Sequence, residues 1–391
     1  MQKKVQQFSD FLLFLLPFLA MSDRAFSFSV GGFNVRYAQI LLLFLILVLA
    51  PKHLASLKSN AALKALAFLV IPQMLLLGTR TLPQLTALKL LWICFNIGGV
   101  ILLMQVTSAN QKSILFKGII FSVLANSVIL IIDWAAIAYG TGLPVIGFAQ
   151  PAYGVVWYRP HAFYYEPSFV SSVLALSIPF LSTQQKGWLL SGLLLCVLFL
   201  VGARTGLLFA VIYLLLSLVL NTKSRLVIIK SVSLCFLLIS ILWLMPNTQN
   251  HFSLLFNILG PAESVSRASE KTSSEGGRIQ NVLEELKIWR KAPVFGAGIT
   301  QRGGERHGLD PLAINCWAEV LSEWGLWGLC SVLWLFMILF RGASLIDSKI
   351  AIFVHALVNL NFTQTLPRLD FWILLFALMY LGRESSQAKV I

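Results

Sequence analysis

Apolar residues fill this chain in long runs, and polar residues collect between them. ILLLFLILVLA (40–50) and GWLLSGLLLCVLFLVG (187–202) show the pattern. A helix needs about 20 mostly apolar residues to cross a bilayer core. Windowed hydropathy marks about 12 such segments. Their limits are 8–21, 33–50, 61–78, 87–106, 114–139, 166–182, 187–201, 205–221, 226–245, 312–340, 346–361 and 369–382. MQKKVQQFSDFLLFLLPFLA starts with lysines but lacks a convincing small-residue cleavage site, so it is expected to be the first span and not a cleaved signal.

Two connections are too long for simple turns. One covers 140–165, and the other covers 246–311 and is polar and charged. Within the second, Ile279, Val282, Leu283, Leu286 and Trp289 recur at helical spacing, which predicts an amphipathic helix near 278–290. Arg278, Glu285 and Arg290 lie elsewhere on its wheel. Such a helix can lie on a membrane surface or cap a cavity, and ordinary packing against a bundle explains the stripe equally well. No internal repeat or low-complexity tract stands out.

Lysine and arginine in the short loops divide unevenly between the two faces. Roughly 15 fall on the face that holds Lys3 and Arg383, and roughly 7 on the face that holds Arg24 and Arg368. The positive-inside rule makes the first face cytoplasmic, with both termini inside and both long connections outside. Composition agrees with a membrane protein: 58% of the 391 residues are hydrophobic and 12% charged, against about 25% charged in soluble domains. The expected fold class is therefore an all-α polytopic integral membrane protein of about 12 transmembrane helices, with residues 1–391 forming one membrane domain.

The net charge of +14 does not point to nucleic acid, because the basic residues are scattered between apolar spans and form no basic domain. Membrane lipids and an anionic substrate are the better partners. Cys94, Cys196, Cys235, Cys316 and Cys330 fall in or beside apolar segments without a CxxC pair, so they read as small buried hydrophobes, with no disulfide and no metal site.

GxxxxGK[ST], HExxH and DxD are all absent. Chemistry on the outer face is therefore expected to need no nucleotide, metal or other cofactor. Three features on that face carry chemistry. Arg204, in GARTG, occupies a turn of very few residues and opposes the positive-inside bias. An arginine there can snorkel to headgroups, but its guanidinium fork also matches phosphate oxygens. Arg278 follows two glycines and opens the amphipathic helix, where free N–H groups favour anions. Arg290 follows three turns later on the same helix. Third is RPHAFYYEPSF (159–169), where Pro167 suits a first helical turn and Glu166 stands at its entrance. Glu166 can stabilise the helix dipole alone; with Arg159 and His161 beside it, the group reads as a polar pocket floor. A partly desolvated carboxylate there can act as a base near neutral pH. Arginines for a pyrophosphate and a carboxylate or histidine for a sugar hydroxyl fit transfer from a lipid-linked pyrophosphoryl sugar.

These residues resemble a known family. FYYEPSF looks like the EPS-type motif of O-antigen polymerases. GARTGLLFAVIYLLL is similar to an "SRTG" segment followed by a span. GGRIQNVLEELKIWRKAPVFGAG resembles the "GR…W…P..G.G" pattern of a large periplasmic loop, and INCWAEVLSEWGLWG the "HN…E.G..G" segment after it. In order and spacing the chain resembles the O-antigen polymerase and O-antigen ligase superfamily of bacterial envelope proteins. The ligases carry a histidine where this chain has Ile314, next to Asn315, which tilts the resemblance toward polymerase; His307, seven residues upstream, keeps the ligase open.

The resemblance implies a GT-C-type glycosyltransferase fold in the bacterial inner membrane, with the active site periplasmic. It implies an undecaprenyl-pyrophosphate-linked oligosaccharide as substrate, inverting transfer without metal, and a chain-length regulator protein as partner. Carried over residue by residue, Arg204 and Arg278 match the family's functional arginines, and Glu323 and Gly325 its "E.G" pair; apart from the resemblance, Arg159 and Arg290 are expected as further pyrophosphate contacts. Tyr165, Asn315 and Glu323 become substrate contacts, and Glu323 also fits a structural place at a helix start. The base is left open among Glu166, His161 and His307. A ligase or other lipid-linked glycan transferase, and a polytopic transporter or flippase, are the alternatives.

Overall fold

The computed structural model describes residues 2–22, 24–30, 33–49, 60–80, 82–139, 143–151, 158–164, 166–182, 186–222, 224–244, 275–298, 315–362, 366 and 368–381. In chain order the helices are α1 (Gln2–Ala20), α2 (Tyr37–Leu49), α3 (Ala61–Leu75), α4 (Pro83–Ile93), α5 (Gly99–Val106), α6 (Ala109–Tyr139), α7 (Pro167–Leu176) and α8 (Ile178–Ser182). Then follow α9 (Gly187–Val201), α10 (Arg204–Leu220), α11 (Arg225–Leu244), α12 (Glu275–Lys291), α13 (Cys316–Gly342), α14 (Ile346–Val354), α15 (Leu360–Phe362) and α16 (Leu369–Tyr380). All twelve apolar segments of the sequence carry helix. In lipid the backbone has no water to bond, so apolar stretches satisfy their N–H and C=O groups internally.

Among the described residues, Pro83–Val106, Ala109–Tyr139, Arg225–Leu244 and Cys316–Gly342 are long and apolar enough to cross a membrane by length and composition. Other apolar helices are shorter, such as Tyr37–Leu49 and Leu369–Tyr380. The architecture is a helical membrane bundle.

The chain is not all-α, as its composition suggested. Two antiparallel hairpins sit at one end of the bundle: β1 (Ser27–Val30) pairs with β2 (Phe33–Arg36), and β3 (Phe148–Pro151) with β4 (Tyr158–Ala162). Residues 33–36, expected to open the second span, are strand, and helix begins at Tyr37. The sequence between β1 and β2 is Gly-Gly, a dipeptide that favours two-residue hairpin turns. The Arg24 N–H donates to the Phe163 carbonyl at 3.0 Å, and its guanidinium lies 4.1 Å over the Phe148 ring. The segment before β3 is held from below. Asp133, fully buried near the end of α6, accepts the N–H groups of Val145, Ile146 and Gly147 at 2.8–2.9 Å. This carboxylate, an isolated charge within an apolar segment of the sequence, is a cap for a turn.

At the centre is α16, whose residues from Leu369 to Leu378 are all buried. A helix apolar all round belongs inside a bundle. On the perimeter is α11, which exposes Leu226, Ile229, Phe236 and Leu244. Two π-helical turns interrupt the bundle: Cys94–Gly98 between α4 and α5, and His355–Asn359 between α14 and α15. Each carries buried polar side chains. Gln39 Nε2 donates to Asn96 Oδ1 at 3.0 Å, and Asn359 Nδ2 lies 3.0 Å from His355 Nδ1.

Candidate functional site

Helix α13 breaks at Gly325, whose φ of 68° and ψ of −164° are non-helical. A break at membrane depth strips backbone groups of their partners, and something must replace them. The chain does so with its own residues 293–298. The carbonyls of Ser322 and Glu323 accept the N–H groups of Ala297 and Gly298 at 2.8 and 2.9 Å. Beyond the break, the N–H groups of Leu326 and Trp327 donate to Pro293 and Val294 at 2.9 Å. This splice needs glycine. A Cβ on Gly325 would sit 2.3 Å from the Val294 oxygen, and one on Gly296, at φ 71°, 2.3 Å from the Glu323 carbonyl carbon. PVFGAG and SEWG, two separate motifs in the sequence, are the two halves of one backbone joint.

Gln73 and Arg80 lock the joint from α3 and the turn after it. Gln73, fully buried, donates from Nε2 to the carbonyls of Phe295 and Trp324, both at 3.2 Å. Arg80, buried to 9% exposure, donates from one terminal nitrogen to the Gly296 carbonyl, and from the other to Gln73 Oε1 at 2.5 Å and to Phe295 O at 2.9 Å. Burial lowers the Arg80 pKa from its ordinary value. A third tie uses a proline. Pro72 has no N–H for the Phe68 carbonyl one turn back, and Trp327 Nε1 donates to that oxygen at 2.6 Å.

Before the break, α13 presents Glu319 and Glu323, four residues apart and so on one face. Lys89 of α4 reaches both. Its ammonium bonds Glu319 Oε1 and both oxygens of Glu323, the latter at 2.7 and 2.8 Å. All three side chains are mostly buried, at 20% exposure or less. Glu285 of α12 lies within electrostatic reach of Glu323. Helix α12 packs against α13, with Leu283 exposed and Trp289 Nε1 donating to the Pro293 carbonyl at 3.0 Å.

A second corner forms where α7, α10 and α16 begin. Glu166 is the residue before α7, with Pro167 first in the helix. Its carboxylate does not cap the helix; Oε2 accepts from Ser168 Oγ at 3.0 Å. Arg204 opens α10 and is exposed. Helices α7 and α10 cross closely: a Cβ on Gly206 would lie 2.5 Å from Ser171 Cβ. That contact brings the turn of Arg204 to the first turns of α7. Arg368, before α16, pairs with Asp370 at 2.9 and 3.2 Å and lies 4.3 Å over the Phe169 ring.

His161 stands beside this corner on β4, 1% exposed. Its Nδ1 meets the Tyr164 carbonyl at 2.5 Å. Burial, above all, and then the charges of Arg24 and Arg159 push its pKa down to about 4, against two backbone bonds that favour the proton. The ring is a closed structural element of the hairpin, neutral at pH 7.

Of the residues singled out on the sequence, Arg159 and His161 lie on β4, Glu166 precedes α7, and Arg204 opens α10, which packs against α7. Asn315 caps α13, its Oδ1 accepting from Ala318 N at 3.0 Å while Nδ2 donates to Asn361 Oδ1 at 3.1 Å. Arg290 is exposed in the last turn of α12. Arg278 lies in the first turn of α12, with its side chain outside the described residues, where Tyr165, His307 and Ile314 also fall. Sequence reasoning missed Lys89, Glu319, Arg80 and Gln73. Lys89 had a signal, a lysine inside the apolar segment 87–106. Glu319 and Glu323 had one in their spacing. Arg80 and Gln73 had none, because apart from each other their partners are backbone atoms more than 200 residues away.

Residues 189–333 match the family model described as O-antigen ligase. The matched region runs from α9 through the break in α13 and contains Arg204, α12, Glu319 and Glu323. It supports the O-antigen polymerase and ligase superfamily and does not divide polymerase from ligase. No curated protein matches the chain.

Proposed function

We propose, from the match of residues 189–333 to the O-antigen ligase family model, that this chain is a glycosyltransferase that lengthens a surface polysaccharide. The growing glycan on undecaprenyl pyrophosphate is the donor. The free-end sugar of a new lipid-linked repeat is the acceptor, and the site faces the periplasm. The observation that carries this reading is the corner where exposed Arg204 opens α10 against the first turns of α7, with Glu166 at the mouth of α7. Two helix N-termini and an arginine favour a pyrophosphate, and a carboxylate stands next to them.

In the proposed step, the acceptor hydroxyl gives its proton to Glu166 and its oxygen bonds to the donor's anomeric carbon. The bond from that carbon to the pyrophosphate oxygen breaks, with inversion. The pyrophosphate keeps the electron pair, and Arg204 and Arg278 stabilise its charge as it leaves. His161, with Nδ1 bonded and a pKa near 4, is a poor base and serves the hairpin instead. Asn315 and the Lys89–Glu319–Glu323 trio supply polar contacts for sugar hydroxyls.

Ile314, where ligases have histidine, favours polymerase over ligase, which the family match leaves undivided. A gel of surface glycan from a deletion strain complemented with wild type or Arg204→Ala separates them. Lipid A core carrying a single repeat and no ladder in the variant supports the polymerase. Bare core, with long polymer left on its carrier, makes the chain a ligase. A ladder equal to wild type removes Arg204 from the chemistry.

A further inference from the structure

We infer that Arg80, together with Gln73, is a positioning residue that holds helix α12 in its working place by locking residues 293–298 into the break of α13. The inference rests on the transferase reading for its kinetic consequence and on the geometry of the joint for the rest. The chain runs from Lys291, the end of α12, into the splice at Pro293. Where the splice sits therefore sets where α12 ends. The splice is held on one side by four backbone bonds to α13 and on the other by Arg80 and Gln73. Backbone bonds alone fix the register of 293–298 on α13. The side chains of Arg80 and Gln73 tie the splice itself to α3 and the turn after it, beside the Trp327–Phe68 bond that ties α13 to α3.

Position also matters because of what surrounds the joint. Gly298 passes Arg80 and Thr86 so closely that a Cβ there would be 3.0 Å from Arg80 Cδ and 3.0 Å from Thr86 Oγ1. Thr86 and Lys89 lie one turn apart on α4, and Lys89 holds the two carboxylates of α13. Arg80 thus sits where α4, the splice and the first half of α13 converge, yet it touches none of the proposed reacting groups. A planar guanidinium with several donors suits this task, since it serves three oxygens from two nitrogens; a lysine ammonium cannot reproduce that fork.

The test uses the full-length protein in lipid nanodiscs, with hydrogen–deuterium exchange and steady-state kinetics on a lipid-pyrophosphate-linked oligosaccharide. In Arg80→Ala, amide exchange is expected to rise at least tenfold in 293–298 and 322–328 and across α12, with the buried α16 unchanged. KM for the lipid-linked donor is expected to rise about tenfold, with a smaller fall in kcat, and Arg80→Lys to recover less than half of the change. Unchanged exchange at the splice overturns the inference, as does loosened exchange with KM and kcat both at wild-type values. Should Arg80→Ala fail to fold, Gln73→Leu, which removes one bond to the splice at Phe295, one to Trp324 of α13 and one acceptor of Arg80, is read by the same criteria. The exchange arm needs no turnover, so an inactive wild type defeats the transferase reading and not the anchoring of the joint.

Discussion

At His161 a buried neutral ring makes the hairpin end sensitive to acid. In the unfolded chain the imidazole protonates near pH 6.5, and in the folded protein near 4. Between those values the unfolded state binds the extra proton, so the stability contributed by this ring is complete above about pH 6.5 and falls as pH drops toward 4. The expected loss is about 2 kcal/mol, read as the melting temperature of wild type falling faster than that of His161→Gln between pH 7 and pH 4.5. Lys89 makes a second residue-scale case. Removing one partner from a buried ion cluster leaves uncompensated charge, here two carboxylates on one helix face. Lys89→Ala is expected to destabilise by about 2–4 kcal/mol, with part of that recovered by adding Glu323→Gln. A thermal melt of the four proteins of that cycle measures the coupling, and purely additive effects would show that the trio is not a unit.

Among elements, the break in α13 has the sharpest consequences. Gly325 needs its left-handed φ of 68° and has backbone 2.3 Å from where a Cβ would stand. Gly325→Ala is therefore expected to cost more than about 3 kcal/mol, through strain and loss of the splice bonds. In practice the variant should lose most folded protein in detergent size-exclusion chromatography, whereas Gly78→Ala, with nothing within 4 Å of its added Cβ, should elute as wild type. The α6 cap is a milder case. Asp133→Ala removes the acceptor for three N–H groups of 145–147. Exchange of those amides should rise while the core of α6 stays protected.

Over the whole molecule, burial divides helices that resemble one another in sequence. Both α16 and α11 are apolar runs, yet Trp372 is 1% exposed and Phe236 67%. Trp372→Ala is expected to cost about 3–5 kcal/mol through the cavity it leaves, and Phe236→Ala, on a perimeter suited to lipid, less than about 1 kcal/mol. Equal losses of melting temperature in the two variants would contradict the arrangement of centre and perimeter.

The sequence alone determined that this chain is a helical membrane bundle, because lipid forces apolar stretches to close their own hydrogen bonds and so writes the helices into composition. It also singled out Glu166 before Pro167 and Arg204 in its tight turn, since charge beside apolar segments is conspicuous. Tertiary structure alone decided the rest. The hairpins at 27–36 and 148–162 depend on strand partners that hydropathy does not weigh. The break at Gly325 lies in a stretch that reads as unbroken helix, and only the arrival of residues 293–298 makes it favourable. Asp133 looked like a lone intramembrane charge until three N–H groups met it. In each case the deciding partner is a backbone atom, close in sequence at the first hairpin and Asp133 and remote at Gly325, and backbone atoms carry no residue identity for a pattern to detect.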